Sequence, residues 1–110
     1  MLNLTHLTTF LRLHDTGSFT LAAEQLGIGQ STVTHHIQRL ERSLGRQLID
    51  RTTHRVKLTT EGEALLSYAR AMLEMNGKVM SLFGETRLRG RLRLGVSEDV
   101  VANRLTDILE

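Results

Sequence analysis

The chain of 110 residues contains no cysteine and no proline. The first absence excludes disulfides and thiolate-rich metal sites, and is compatible with a reducing cytosol. The second suits a mostly helical chain, because nothing in it removes a helix-interior N–H. No apolar run approaches the length of a membrane span. The N-terminus, MLNLTHLTTF, lacks the basic start and apolar centre of a signal peptide. A cytoplasmic protein without a membrane partner is therefore expected. The length accommodates one small domain plus an extension, enough to bury a core and fold unaided.

What the chain does have is positive charge in one place. The net charge is only +2, yet residues 30–57 carry Arg39, Arg42, Arg46, Arg51, Arg55 and Lys57 against Glu41 and Asp50. Both flanks are slightly acidic. The same stretch holds His35, His36 and His54. A charge run alone is usually a solvated face, but this one coincides with a helix-turn-helix pattern, which points to nucleic acid.

That pattern is SFTLAAEQLGIGQSTVTHHIQRLE, residues 18–41. Ser18 is a helix N-cap after Gly17. Leu21, Ala22 and Leu26 fall on one side of a short helix, and Ala23 sits where a second helix crosses closely. Gly27 supplies a left-handed turn and Ile28 plugs the corner. Val33, Ile37 and Leu40 give the second helix an inward face. Its outward face is Gln30, Ser31, Thr34, His35, Gln38 and Arg42, with no acidic residue, which suits the reading of base edges.

Around this unit the spacing predicts a first helix over about residues 4–16, with Leu4, Leu7, Phe10, Leu11 and Leu13 as its stripe. The helix begun near Gln30 ends at Leu44, before Gly45. Leu48–Ile49 and Val56–Leu58 are β-prone runs forming a small hairpin, a wing. Arg51, Thr52, Thr53, His54 and Arg55 lie at its tip, either reaching phosphates or the minor groove, or forming a plain surface loop. Thr60 and Glu63 read as a capping box opening the longest helix, to about Thr86. That helix carries Leu65, Met72 and Val79, then Leu66, Leu73 and Met80, then Ala69, Asn76 and Phe83. So wide an apolar face either packs back onto the first helix or pairs with the same helix of a second subunit. From Arg87 to Val96 the residues alternate polar and apolar, the period of a strand. Ser97 then caps a further helical stretch, so the chain is expected to stop inside a second domain.

The residues SFTxAAxxLxxxQ, IxxLExxLGxxL and DRTxxxVxLTxxG, followed by the long helix and RLRLGV, resemble the N-terminal domain of LysR-type transcriptional regulators over nearly the whole chain. The resemblance implies a mainly α fold, a winged helix-turn-helix of three helices plus a two-stranded wing, with a long C-terminal dimerisation helix. It divides the chain into a DNA-binding domain (1–59), a linker helix (60–87) and the truncated start of an α/β effector-binding domain (88–110). It implies a dimer on an interrupted palindrome of double-stranded DNA in the bacterial nucleoid, with tetramers of the full-length protein and RNA polymerase as a further partner. Base reading carries over onto Gln30, Ser31, Thr34 and His35. Contacts to the DNA backbone or minor groove carry over onto Ser18, Thr20, Thr32, Gln38, Arg39, Arg51, Thr52 and Arg55. Dimerisation falls to Leu65, Leu66, Ala69, Met72, Leu73, Val79, Met80 and Phe83. No cofactor is implied in this chain; a small-molecule effector is expected for the missing domain.

The chain departs from the family where Gly29-Gln30-Ser31-Thr32 replaces the common Ser-Gln-Pro-Ala, and where Thr34-His35 replaces Ser-Arg. A neutral imidazole offers one donor and one acceptor where arginine offers two charged donors, so an altered or pH-sensitive base preference is expected at His35. His35 and His36 project about 100° apart on a helix and cannot easily share a metal ion. Ser97-Glu98-Asp99 has no partner base, the glycines of 84–95 make no phosphate loop, and Met72, Met75 and Met80 read as core or interface filler. No constellation supports an enzyme. The competing function is a dimerisation fragment that pairs with full-length regulator without binding DNA.

Overall fold

The computed structural model describes the backbone of residues 1–95 and the side chains of residues 1–84. Among the described residues four helices follow in order: α1 (Leu4–Thr16), α2 (Phe19–Leu26), α3 (Gln30–Leu44) and α4 (Thr60–Gly95). The first three begin and end where the local signals place them. Asn3 Oδ1 accepts from the N–H groups of Thr5 and His6, and Ser18 Oγ accepts from Leu21 N–H at 3.1 Å. Gly27, at φ 71°, turns α2 into α3 in a backbone conformation that a side chain would strain.

Leu7, Phe10 and Leu13 of α1 meet Ile37 and Leu40 of α3 in one core, which Ala22 of α2 joins. Each of the larger side chains contributes about 1.5–3 kcal/mol by leaving water. Leu21 departs from expectation. It is 46% exposed, and the inward side of α2 is Ala22 and Ala23. Small residues let α2 lie close to its neighbours, which turns Leu21 to the outside.

The wing is slighter than a two-stranded hairpin. Among the described residues it is one antiparallel bridge, Ile49 with Leu58. Asp50 N–H donates to Lys57 O at 2.8 Å and Thr59 N–H to Leu48 O at 2.9 Å. Leu48, Ile49 and Leu58 are buried, whereas residues 51–55 are all exposed. The apolar anchor is therefore one pair deep, too short to support a longer ladder.

The start of α4 corrects the capping assignment by one residue. Thr59, not Thr60, is the cap: its Oγ1 accepts from Gly62 N–H at 3.1 Å and its carbonyl from Glu63 N–H at 2.9 Å. Thr59 Oγ1 also donates to Gln47 O at 2.6 Å, so one hydroxyl ties helix, cap and wing together. The position three residues past the cap is thus Gly62, and Glu63 has no capping-box role. A Cβ on Gly62 would lie 2.3 Å from the Leu48 carbonyl oxygen and 3.1 Å from Leu58 Cβ. Only glycine lets the wing backbone approach the helix this closely.

Residues 1–73 form one compact unit, and the described residues from 74 onward belong to a second. In the first, Ala69 is fully buried and Leu65, Leu66 and Leu73 pack against the core. Arg70 also pairs with Asp15 at 2.8 Å, but both side chains are 40% or more exposed. Such a pair is worth under about 1 kcal/mol, so apolar burial is what holds the part of α4 up to Leu73 in the first unit. In the second unit Met75, Val79, Met80, Leu82 and Phe83 are exposed. The backbone stays helical through Gly95, where the alternation over 87–96 predicted a strand. A strand needs a sheet to satisfy its backbone, and a helix satisfies its own; arginine and leucine are also good helix formers. Ser97 and the helical stretch expected after it lie outside the described residues.

Replacing Gly62 by alanine should destabilise the fold by about 1–3 kcal/mol through the forced displacement of the wing. Gly77→Ala is the control, since a Cβ there meets nothing within 4 Å, and it should leave the melting temperature unchanged or raised. Equal melting temperatures for the two variants in thermal unfolding would contradict the close approach.

Candidate nucleic-acid interface

With Val33, Ile37 and Leu40 buried, the opposite side of α3 faces solvent. Gln30, Ser31, His35, Gln38, Arg39 and Arg42 are exposed, and Thr32 and Thr34 are half-buried. Gln30 Nε2 donates to Thr20 Oγ1 at 2.8 Å, which links the start of α3 to α2. Thr34 Oγ1 donates to the Gln30 carbonyl at 3.3 Å. Arg39 Nε donates to His35 Nε2 at 3.2 Å, one turn apart on the exposed face.

Two surface hollows frame this region. Phe19, Gln30, Ser31 and Thr34 line one. Phe19 also lines the other, with Asp50, Arg51, Thr53, His54 and Arg55 of the wing. One aromatic ring thus separates the start of α3 from the wing tip, and the structure brings these two sets of polar groups to neighbouring hollows.

Several expected DNA contacts are engaged within the chain. Ser18 caps α2. Thr52 N–H and Oγ1 both donate to Asp50 Oδ1, at 2.9 and 2.6 Å. These two bonds hold the Asp50 carboxyl below the usual carboxylate range. Thr53 Oγ1 donates to the Arg55 carbonyl at 2.7 Å, closing the tip on itself. Arg51 Nη2 lies 2.6 Å from Glu41 Oε1.

Glu41 is the residue that sequence reasoning missed. Counted as a surface charge, it instead accepts Leu48 N–H at 2.8 Å and Ile49 N–H at 3.2 Å through Oε2, and its side chain is 12% exposed. One carboxylate of α3 therefore fixes the first strand-like run of the wing and its first arginine. The signal was available only as an acid in an otherwise basic stretch.

His36 and His35 part as their helical spacing requires. His36 turns toward α1, where its ring lies 4.6 Å from that of His6, tilted by 32°. Thr9, a buried polar residue of the core, places its hydroxyl 3.2 Å from the Thr5 carbonyl and 2.8 Å from His36 Nδ1, the direction of the second bond following the tautomer of the ring. Burial lowers both histidines below their ordinary value of 6.5; His36, Arg39 and His35 add to the effect on His6, and His35 to that on His36. Tyr68, exposed to 69%, is a further large side chain that sequence reasoning left out of the apolar face, and Met75, read as core or interface filler, is 59% exposed.

A family profile described as bacterial regulatory helix-turn-helix protein, lysR family, matches residues 4–63. The chain is 41% identical to the HTH-type transcriptional regulator PtxR of Pseudomonas aeruginosa, over 97% of this chain and 35% of that protein. It is 40% identical to a probable hydrogen peroxide-inducible genes activator of Mycobacterium leprae, over 94% of this chain and 34% of that protein. The chain thus spans about a third of the length of these curated relatives. Among solved structures, a hydrogen-peroxide-bound mutant of OxyR from Corynebacterium glutamicum superposes with a TM-score of 0.73 at 32% identity, covering 79% of this chain and 27% of that one. The BenM DBD in complex with catB site 1 DNA superposes with a TM-score of 0.72 at 35% identity, covering 77% of this chain and 96% of that one.

The histidine stack should make stability fall in mild acid. Unfolded, both rings titrate near 6.5; folded, both resist protonation, so below about pH 6.5 the unfolded chain binds protons that the folded one refuses. This contribution is complete above that pH and declines below it. Asp15, lowered chiefly by its bond to Arg70, and Asp50 act in a separate window below their ordinary 3.8. Thermal unfolding should show a lower melting temperature at about pH 5.5 than at about pH 7.5, and a smaller difference in His36→Gln. An unchanged difference in that variant would exclude the stack as the cause.

Proposed function

The chain belongs to the lysR family of bacterial regulatory helix-turn-helix proteins, and on that premise we propose that it binds double-stranded DNA in a sequence-specific manner, as the reading head of a transcriptional regulator. In this reading α3 (Gln30–Leu44) enters the major groove and the wing, residues 49–58, lies at the backbone or the minor groove. The observation that carries it is the two-sidedness of α3. Its aliphatic side is sealed in the core, and its exposed side presents amide, hydroxyl, imidazole and guanidinium groups. The one carboxylate of α3 is occupied by the wing.

Gln30, Ser31, Thr34 and His35 are the base readers, and Arg39 and Arg55 the principal phosphate contacts. Thr20, Thr32 and Gln38 support them at the backbone, whereas Ser18, Arg51 and Thr52 act chiefly in building the frame. A second copy of the chain pairs through α4, using the exposed Met72, Val79, Met80 and Phe83, so that two reading helices meet an interrupted palindrome. Leu65, Leu66, Ala69 and Leu73 support that pairing from within the domain's own core. The full-length protein assembles further, works beside RNA polymerase in the cytoplasm, and takes its small-molecule effector in a domain that residues 88–110 lead into. It performs no catalysis.

The exposed apolar side chains of α4 favour one other reading, a fragment that pairs with full-length regulator and silences it without touching DNA. Titration of the chain onto random duplex DNA at rising salt separates the two. Phosphate contacts predict a steep linear fall of log affinity with log salt. Arg55→Ala should reduce the slope by about 1 per bound protomer, and Gln30→Ala should leave it unchanged. No binding at low salt would overturn the DNA reading in favour of the fragment.

A further inference from the structure

Thr20 is the second residue of α2 and Gln30 the first of α3, yet Gln30 Nε2 donates to Thr20 Oγ1 at 2.8 Å. A primary amide carries two N–H donors and one carbonyl acceptor. With one N–H committed to Thr20, Gln30 retains one donor and its acceptor. Adenine presents that complement in the major groove, the N7 acceptor and the N6 donor, whereas guanine presents two acceptors, N7 and O6. The bond to Thr20 thus withdraws from Gln30 the second donor that guanine would call on.

The threonine hydroxyl adds a direction to this bond. Its single hydrogen is left over when Oγ1 accepts from Gln30, and a DNA phosphate oxygen is a strong acceptor for it. Once given to a phosphate, that hydrogen is no longer available to the Gln30 carbonyl. Thr20 then holds the nitrogen end of the amide and leaves the carbonyl to the base. A hydroxyl in such a chain is also a better acceptor for being a donor.

We propose that Thr20 is a positioning residue for specificity: it fixes the polarity of the Gln30 amide, so that this position of the half-site takes adenine over guanine. The proposal rests on the reading of α3 as the base-reading helix. It gives Thr20 a part in sequence preference beyond the backbone contact that its place at the start of α2 suggests.

The test is selection from randomised duplexes, followed by titration of single-base variants of the selected site, with the 110-residue chain and its variants. The wild type should select adenine at one position per half-site, and Gln30→Ala should lose that preference alone. Thr20→Val, which keeps the shape and removes the hydroxyl, should reduce the adenine-over-guanine ratio there by at least about fivefold, the lower end of what a bidentate pair supplies. Thr20→Ser should restore it. Thr20 is exposed, so both variants should melt as the wild type does. A Thr20→Val chain that loses affinity equally for every sequence, or loses none, overturns the proposal and leaves the DNA reading standing. A wild type with no preference for any duplex overturns both.

Discussion

The packing of α3 on α1 is the constraint from which the rest of the molecule follows. Val33, Ile37 and Leu40 bury one side of α3 almost completely, and Leu7, Phe10 and Leu13 line the core that receives it. Three aliphatic side chains moved out of water outweigh any polar contact on the outside of the helix by several kcal/mol. The helix therefore has no freedom to roll, and its polar residues are held outward as a set. On the proposed function specificity requires this, because a helix that rotated by one residue would present a different row of side chains.

The wing depends on the same helix at one remove. Alone, a single bridge between Ile49 and Leu58 would not hold a loop of exposed polar residues. Glu41 supplies the missing order by accepting two backbone N–H groups of the wing and pairing with Arg51. Thr59 and Gly62 hold the other end, where the Leu48 carbonyl lies against the first turn of α4. The wing is thus set by both flanking helices, and its position is coupled to that of α3 through one carboxylate.

What was legible in the sequence was local. Ser18 and the glycines that close α1, α2 and α3 act on their own few residues, so they mark helix ends without reference to the rest of the fold. The inward faces of α1 and α3 were legible because a period of 3.6 survives any tertiary context. Leu21 was not, because two alanines beside a leucine give the same local pattern whichever side packs. The function of Glu41, the shift of the cap from Thr60 to Thr59 and the need for glycine at position 62 share one cause. All three depend on the segment around Leu48 lying beside two helices, which no local pattern encodes. The alternation over 87–95 misled for a related reason, since a period of two promises a strand only where a sheet is waiting. The exposed polar residues of α3 were legible as a face, and the Thr20–Gln30 bond beside that face became visible only once α2 and α3 were placed together.

The central claim is that the outward side of α3, steadied by α1 and Glu41, is the surface that meets DNA. Amide chemical-shift mapping of the isotopically labelled chain during titration with duplex DNA tests it most directly. The account predicts that perturbations concentrate at Gln30–Arg39 and at Arg51–Arg55, with Thr20 among them. Perturbations confined to α4, or none at α3 while the DNA is bound, would contradict it.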